Sequence, residues 1–534
     1  MTETQKRVAK IWAEVLPDRT ARMFVPESNF FEEGGHSILA QQMLFKVRRE
    51  WKDIDVPMSA IFQSQTLGEF AAEIDRAQDP TGLRLDVAPF ATYGSNAEDE
   101  AYAADARDLA KQLPTKIPTA EAQAAGAPCT VLLTGATGFL GSYVLRELLS
   151  RGHNVIAHVR AKDAAAGLER IKTTTKAYGI WSDDFAPRLS AVTGDISKPE
   201  LGLSKEDWDR LAAEVDVVIH NGAQVNWMLP YSSMRAANVL STAACIALAG
   251  LGKAKKLAFV SSTSTLDTDH YVQLSKENVA AGGTGVQEND DLEGSRKGLG
   301  TGYGQSKWAS EYLVREAGRR GLAGTVVRPG YVTGDPNTGT TITDDFLVRF
   351  WKGCLQLGAR PDIENTLNQV PVTEVARVVT ASALHPPAQP LGVAQVTSHP
   401  RLTLNSYLGV LETYGYSVPK VSYADWCEKL REYVSDEGKE EHALLPLFHF
   451  VAGDLPSNAI APELDDSNAE KALEALGEGG KKGDRCVSVE TAGMYVAYLV
   501  ATGFLPKPAG KGERELPELK KVAELAGLGG RGGK

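Results

Sequence analysis

The sequence predicts an α/β protein built as a small helical bundle, a doubly wound parallel sheet and a mostly helical C-terminal cap. Three observations predict it. Residues 1–79 place apolar side chains at helical spacing with no strand-like alternation between them. From residue 129, short β-branched runs alternate with helical segments, the pattern of a parallel sheet covered on both faces. After about residue 335 that alternation fades and helical spacing takes over.

In chain order, "TQKRVAKIWAEVL", "ILAQQMLFKVRRE" and "TLGEFAAEIDRA" are the helices of the bundle over 1–79. The stretch "QDPTGLRLDVAPFATYGSNAEDE" is rich in Pro, Gly and acidic residues and reads as a linker. With the helical "AYAADARDLAKQL" and a Pro/Ala connector it fills 80–127. The strands of the sheet, over 128–335, are "CTVLLTG", "NVIAHVR", "LSAVTGDI", "DVVIHNGA", "KLAFVSST" and "GTVVRPG". Over 336–534, "TDDFLVRFWKGCLQL", "LTLNSYLGVLETYG", "SYADWCEKLREYV" and "VETAGMYVAYLVATG" are helical, "VAQVTSHP" is an extra strand, and the Gly-rich tail is frayed.

Bulk properties narrow the function class. A chain of 534 residues is too long for one core. Its hydrophobic content of 43% and charged content of 23% are those of an ordinary globular protein. A net charge of −11 and a pI near 5.5 argue against nucleic-acid backbones as partners. The apolar runs are too short to span a bilayer, and "MTETQKRVAK" lacks the apolar core of a signal peptide. Cys129, Cys245, Cys354, Cys427 and Cys486 lie far apart, which predicts reduced thiols rather than disulfides or a zinc site. A cytoplasmic, metal-free enzyme is expected.

Chemistry concentrates in the sheet. In "VLLTGATGFLGSYVL", Gly135, Thr137, Gly138, Phe139, Leu140 and Gly141 follow a strand and open a helix. Glycines at G-x-x-G-x-x-G spacing let the backbone approach a pyrophosphate at the helix N-terminus. The end of the next strand is Val159-Arg160, where a site for NAD usually carries an acidic residue. A guanidinium there, with Arg170 on the following helix as a second clamp, favours the 2′-phosphate of NADPH. Asp195 and Ile196, then Asn221, Gly222 and Ala223, then Pro329 and Gly330 end later strands and form the rim of the cofactor crevice.

Tyr303 and Lys307 lie four apart on one helical face, where an ammonium lowers a phenol's pKa and can also hold a ribose. Among the hydroxyls of "FVSSTST", Thr263 is the one expected to donate to a carbonyl oxygen as it gains charge. His153 and His220 read as core or rim residues, and Trp227 and Tyr231 as aromatic packing. The long connection from Leu266 to Gly300 is compatible with a substrate entrance or with a surface excursion. One serine stands apart: Ser37, in "GGHSILA", heads a helix with no acid or base beside it, as a helix cap would.

Residues 129–335 resemble the extended short-chain dehydrogenase/reductase family, a Rossmann-fold family, through Gly135, Gly138 and Gly141 and through the set Thr263, Tyr303 and Lys307. The stretch "FFEEGGHSILA" is similar to the attachment motif of acyl and peptidyl carrier domains. That likeness implies 4′-phosphopantetheine on Ser37, a phosphopantetheinyl transferase as partner, and His36 as part of the surface it contacts. A carrier followed by such a reductase is the terminal arrangement of thioester-reducing synthetases. Longer segments, "VSSTSTLDT", "LGTGYGQSKWASEYLVREAGRRGL", "RPGYVTGDPNTG" and "APELDDSNA", are similar to the C-terminal part of fungal reductases of lysine biosynthesis. The implied reaction is reduction of a Ser37-tethered aminoadipyl thioester by NADPH to the semialdehyde. Those relatives begin with an adenylation domain that these residues do not contain, which reads as an excised carrier–reductase pair or as a protein loaded in trans by such a partner. Rival readings are a terminal reductase for an aryl or peptidyl thioester and a non-catalytic NADPH-binding sensor.

Overall fold

The computed structural model describes residues 1–16, 20–30, 33, 37–51, 61, 64, 66–78, 101–120, 127–226, 229–387, 391–435, 439–453, 455, 460–478 and 486–519. The linker over 80–100, the tail from 520, and Gly34, Gly35, His36 and Trp227 lie outside these residues.

The N-terminal helices are Glu3–Val15, Ser37–Glu50 and Leu67–Gln78. Thr2 starts the first with a reciprocal cap: its hydroxyl accepts from Gln5 N at 3.1 Å and its own N–H donates to the Gln5 side chain at 2.9 Å. Val8, Trp12, Phe30, Met43, Val47, Phe70 and Ile74 close a separate small core between them.

The sheet strands are β1 (Thr130–Thr134), β2 (Asn154–Val159), β3 (Leu189–Thr193), β4 (Val217–His220), β5 (Lys256–Val260) and β6 (Gly324–Pro329). Short strands β7 (Tyr331–Thr333), β8 (Arg360–Pro361) and β9 (Gln369–Pro371) precede β10 (Leu391–Val396), and β11 (Lys420–Val421) follows it. The main sheet has seven strands in the order β10-β6-β5-β4-β1-β2-β3, all paired in parallel. Alternate side chains feed opposite faces. Val131, Leu133, Ile219 and Ala258 enter one core, whereas Leu132, Val218, Leu257 and Phe259 enter the other. Burial on both faces is why the strands read as nearly unbroken apolar runs. The chain winds outward from β1 in both directions, so the β1–β4 junction is the switch point where such sheets bind nucleotides.

One element departs from the expected layout. The helix Val372–Leu384 and β10 follow residue 335 yet complete the sheet layer, with the helix packed on the core beside the helix Phe139–Ser150. The helix Ser467–Ala475 also joins the sheet core, and the helices Phe346–Leu357, Leu404–Thr413, Tyr423–Ser435 and Val489–Ala501 form a separate one around Phe350, Trp351, Tyr407, Trp426 and Tyr495. No helix among the described residues is long and apolar enough to cross a membrane.

Candidate active site

A cleft of about 2520 Å³ runs along the carboxyl ends of the strands, between the sheet and the C-terminal helices. Every residue assigned to the cofactor or to catalysis from the sequence lines it: Gly135 through Gly141 except Ala136, then Arg160, Arg170, Asp195, Ile196, Asn221, Gly222, Ala223, Thr263, Tyr303, Lys307, Pro329 and Gly330.

The glycine turn is closed on itself. Gly135 has φ of +73°, and a Cβ on Gly141 would fall 2.0 Å from the Gly135 carbonyl oxygen. A Cβ on Gly138, by contrast, meets only that oxygen, at 3.3 Å. Gly138 starts the helix Phe139–Ser150 with no side-chain cap, leaving the first-turn N–H groups to face the cleft. An uncapped helix start beside a backbone this tightly folded fits a dinucleotide's pyrophosphate. At the end of β2, Arg160 is exposed, and Arg170 Nη1 donates to its carbonyl oxygen at 2.9 Å, which brings the Arg170 guanidinium to the end of that strand. Asp195 is held by Ser197, whose N–H and hydroxyl both donate to Oδ1; these bonds keep its carboxyl below the usual range.

The helix Gly302–Arg319 carries Tyr303 and Lys307, and Thr301 fixes its start by accepting from Gly304 N at 3.0 Å. Lys307 is 3% exposed, donates to Val260 O at 2.7 Å, and lies with Nζ 5.8 Å from the Tyr303 ring. Burial pushes its amine down to about 7. Thr263 opens a short 3-10 turn, Thr263–Leu266, capped by Ser262. That turn rests on the helix Gly302–Arg319 so closely that a Cβ on Gly304 would lie 3.0 Å from Ser264 O.

Deeper groups anchor this helix. Glu311 is fully buried and accepts from Ser261 Oγ at 3.0 Å, from Arg328 Nε at 3.0 Å and from Arg315 Nε at 2.9 Å. Asn238 was not singled out from the sequence. Its Nδ2 donates to Ser306 Oγ at 2.9 Å and to Gln224 O at 3.0 Å, tying the cleft wall to the helix that carries Tyr303. It lies in a π-helical turn, Ala236–Leu240, a local widening common at functional sites. A lone asparagine has no spacing signature, so nothing in the sequence marks it.

Other residues are structural. His220 is buried between Thr134 Oγ1 and Ser241 Oγ, and burial pushes it down to about 3. His153 Nδ1 accepts from Cys129 N. The Tyr231 hydroxyl donates to Asp105 at 2.6 Å. In the segment from Leu266 to Gly300, Asp267, Thr268, His270 and Leu299 line the cleft, and Val286 forms a buried bridge to Leu464. Among the described residues, no cluster of His, Cys, Asp and Glu could hold a metal. Cys129, Cys245, Cys354, Cys427 and Cys486 are free.

The bundle touches the cleft's mouth. Leu229 packs on the bundle's core, its carbonyl oxygen would be 2.3 Å from a Cβ on Gly302, and the helix Ser37–Glu50 passes beside Leu445–Leu447. Ser37 is the first residue of that helix.

Sheet order and glycine turn define a Rossmann-type nucleotide-binding domain, here joined to a helical bundle. Two family models match: a phosphopantetheine attachment site over 6–74 and an NAD-binding family described as male sterility protein over 133–379. The L-2-aminoadipate reductase large subunit of Penicillium chrysogenum is 52% identical over 100% of this chain and 39% of its own length. The chain thus spans about two fifths (39%) of the length of that curated relative. The terminal R domain of the myxalamid PKS-NRPS pathway is 33% identical, with a TM-score of 0.63, over 76% of this chain and 98% of that domain. A thiolation-reductase di-domain of an archaeal non-ribosomal peptide synthetase, 18% identical, shares the fold over 94% of this chain and 98% of its own, with a TM-score of 0.65. The chain belongs to the family of carrier-linked terminal reductases that includes the fungal L-2-aminoadipate reductases.

Proposed function

We propose that the chain reduces an acyl thioester carried on Ser37 to an aldehyde with NADPH, and that the acyl group is L-2-aminoadipyl, released as 2-aminoadipate 6-semialdehyde. The observation that carries this reading is the meeting of Thr263, Tyr303 and Lys307 with the glycine turn in one cleft. The 52% identity to a fungal aminoadipate reductase over the whole chain supports the choice of acyl group.

NADPH supplies the hydride. Gly135, Thr137, Gly138, Phe139, Leu140 and Gly141 bind the pyrophosphate through backbone N–H groups. Arg160 and Arg170 hold the 2′-phosphate. Thr263 and Tyr303 donate hydrogen bonds to the thioester oxygen as its charge grows. Lys307 holds the ribose hydroxyls and, when charged, makes the Tyr303 proton easier to give. Asp195, Ile196, Asn221, Gly222, Ala223, Pro329 and Gly330 shape the groove that orients the cofactor.

Residues 1–79 act as the carrier and 80–127 as its tether. Residues 128–335, completed by the return through 372–396, form the reductase, and the rest of 336–534 roofs the cleft. A phosphopantetheinyl transferase installs the arm on Ser37, and an adenylation domain loads it. The reaction belongs to the cytoplasm.

The test is to load Ser37 with aminoadipyl-pantetheine and to follow NADPH consumption together with semialdehyde formation. Reduction of an aryl or peptidyl load with the aminoadipyl load left intact would overturn the assigned substrate. Failure of every load would overturn the activity.

A further inference from the structure

We propose that Asn368 is a cofactor-positioning residue whose side-chain NH2 donates to the carboxamide oxygen of the nicotinamide ring. The proposal rests on the reading of the cleft as a nicotinamide dinucleotide site. It adds a residue outside both the glycine turn and the Thr-Tyr-Lys set.

The orientation of this amide follows from donors alone. Arg401 can only donate, and its Nη2 gives a hydrogen bond to Thr397 Oγ1 at 2.7 Å. Thr397, accepting from Arg401, donates its own proton to Asn368 Oδ1 at 2.9 Å. Ser398 N–H, also a donor only, points at the same Oδ1 at 3.3 Å. The oxygen of the amide is thus identified by two donors, and the other branch must be the NH2 group. Asn368 is 3% exposed and lines the cleft, yet Nδ2 has no hydrogen-bond partner. Buried donors are paired as a rule, and one left without an acceptor is costly.

Its position selects the ligand. Thr397 and Ser398 follow β10 directly, at the outer edge of the sheet. The NH2 branch lies on the inner side, against Gly330 at the end of β6, where a Cβ would come within 2.6 Å of Nδ2. Next inward is β5, whose end supplies Val260 to Lys307 and leads into Thr263. A dinucleotide with its pyrophosphate at the turn after β1 and its adenosine phosphate at β2 extends its other half across β4 and β5 toward this wall. The group at that end is a neutral carboxamide, which offers the acceptor that Nδ2 lacks. Gly330 leaves the passage between them open, because any side chain there would fill it.

Two ligands separate this role from a structural one: NADPH, and adenosine 2′,5′-bisphosphate, which lacks the nicotinamide. Binding of each to the full chain is measured without acyl substrate for wild type, Asn368→Leu and the near-isosteric Asn368→Asp, which turns a donor into an acceptor. NADPH affinity is expected to fall by about tenfold in both variants while bisphosphate affinity stays within about twofold. Unchanged NADPH affinity overturns the proposal, and so does an equal loss for both ligands, which marks a structural role. If Asn368→Leu does not fold, Asn368→Asp carries the same comparison. A wild-type chain that binds the bisphosphate but not NADPH overturns the cofactor reading along with it.

Discussion

At the scale of single residues, the roles proposed for the groups that line the cleft can be separated by substitution. Tyr303→Phe is expected to keep NADPH affinity and lose turnover by about 10²–10⁴, because it deletes one proton donor and little volume; equal turnover would remove Tyr303 from the chemistry. Lys307 gives a pH signature. Burial holds it near 7 in the folded chain against its ordinary 10.5, so above 7 the native state sheds a proton that the unfolded chain keeps. The unfolded state then binds more protons, and the lysine's contribution to stability rises with pH across that window. Melting of wild type compared with Lys307→Met is therefore expected to shift in favour of wild type between about pH 7 and pH 9. Gly135, Gly138, Gly141, Tyr303 and Lys307 were legible in the sequence because their chemistry depends on short fixed spacings. Asn238 and Asn368 were not, since their partners Ser306 and Thr397 lie 68 and 29 residues away.

Elements are held by a few buried polar contacts whose loss is local and costly. Glu311, on the helix Gly302–Arg319, binds two arginines and Ser261, and the Arg328 and Glu311 side chains are both fully buried. Glu311→Ala leaves buried guanidinium charge uncompensated and is expected to cost about 3–5 kcal/mol in urea unfolding. On the outer side, Glu288 accepts from Gln395 N at 2.8 Å and Asn468 N at 2.7 Å and so clamps the 266–300 excursion to β10. Glu288→Ala leaves two N–H groups without their acceptor, and a loss of about 2–5 kcal/mol is expected by the same measurement. The helix Val372–Leu384 escaped the sequence reading for a related reason. Its "VTEVARVVTASAL" is rich in β-branched residues and buried around most of its circumference, so neither propensity nor an apolar stripe marks it as a helix. Packing against the sheet and against the helix Ser467–Ala475 overrides the local preference.

For the whole molecule, the question is how a tethered group reaches Tyr303. Leu229 touches the bundle's core on one side and Gly302 on the other, so the bundle sits one residue away from the start of the helix that carries Tyr303. Leu229→Asp is expected to lower kcat/KM for the thioester on Ser37 by about tenfold, since it puts a charge into an apolar contact. Reduction of the same acyl group on coenzyme A, which bypasses the carrier, should stay unchanged. Equal loss for both substrates would show that the contact serves the cleft and not the carrier.

The sequence alone was enough for the alternation of strands and helices, the glycine turn and the pairing of Tyr303 with Lys307 on one helical face. Each depends on spacing within one turn, one strand or one helix, and such spacing survives in a linear string. Folding added the return of 372–396 to the sheet, the Glu311 and Asn238 anchors, the directed amide of Asn368 and the contact of Leu229 with the carrier. All of these join residues far apart in the chain, and long-range packing makes them neighbours without leaving any local pattern to mark them.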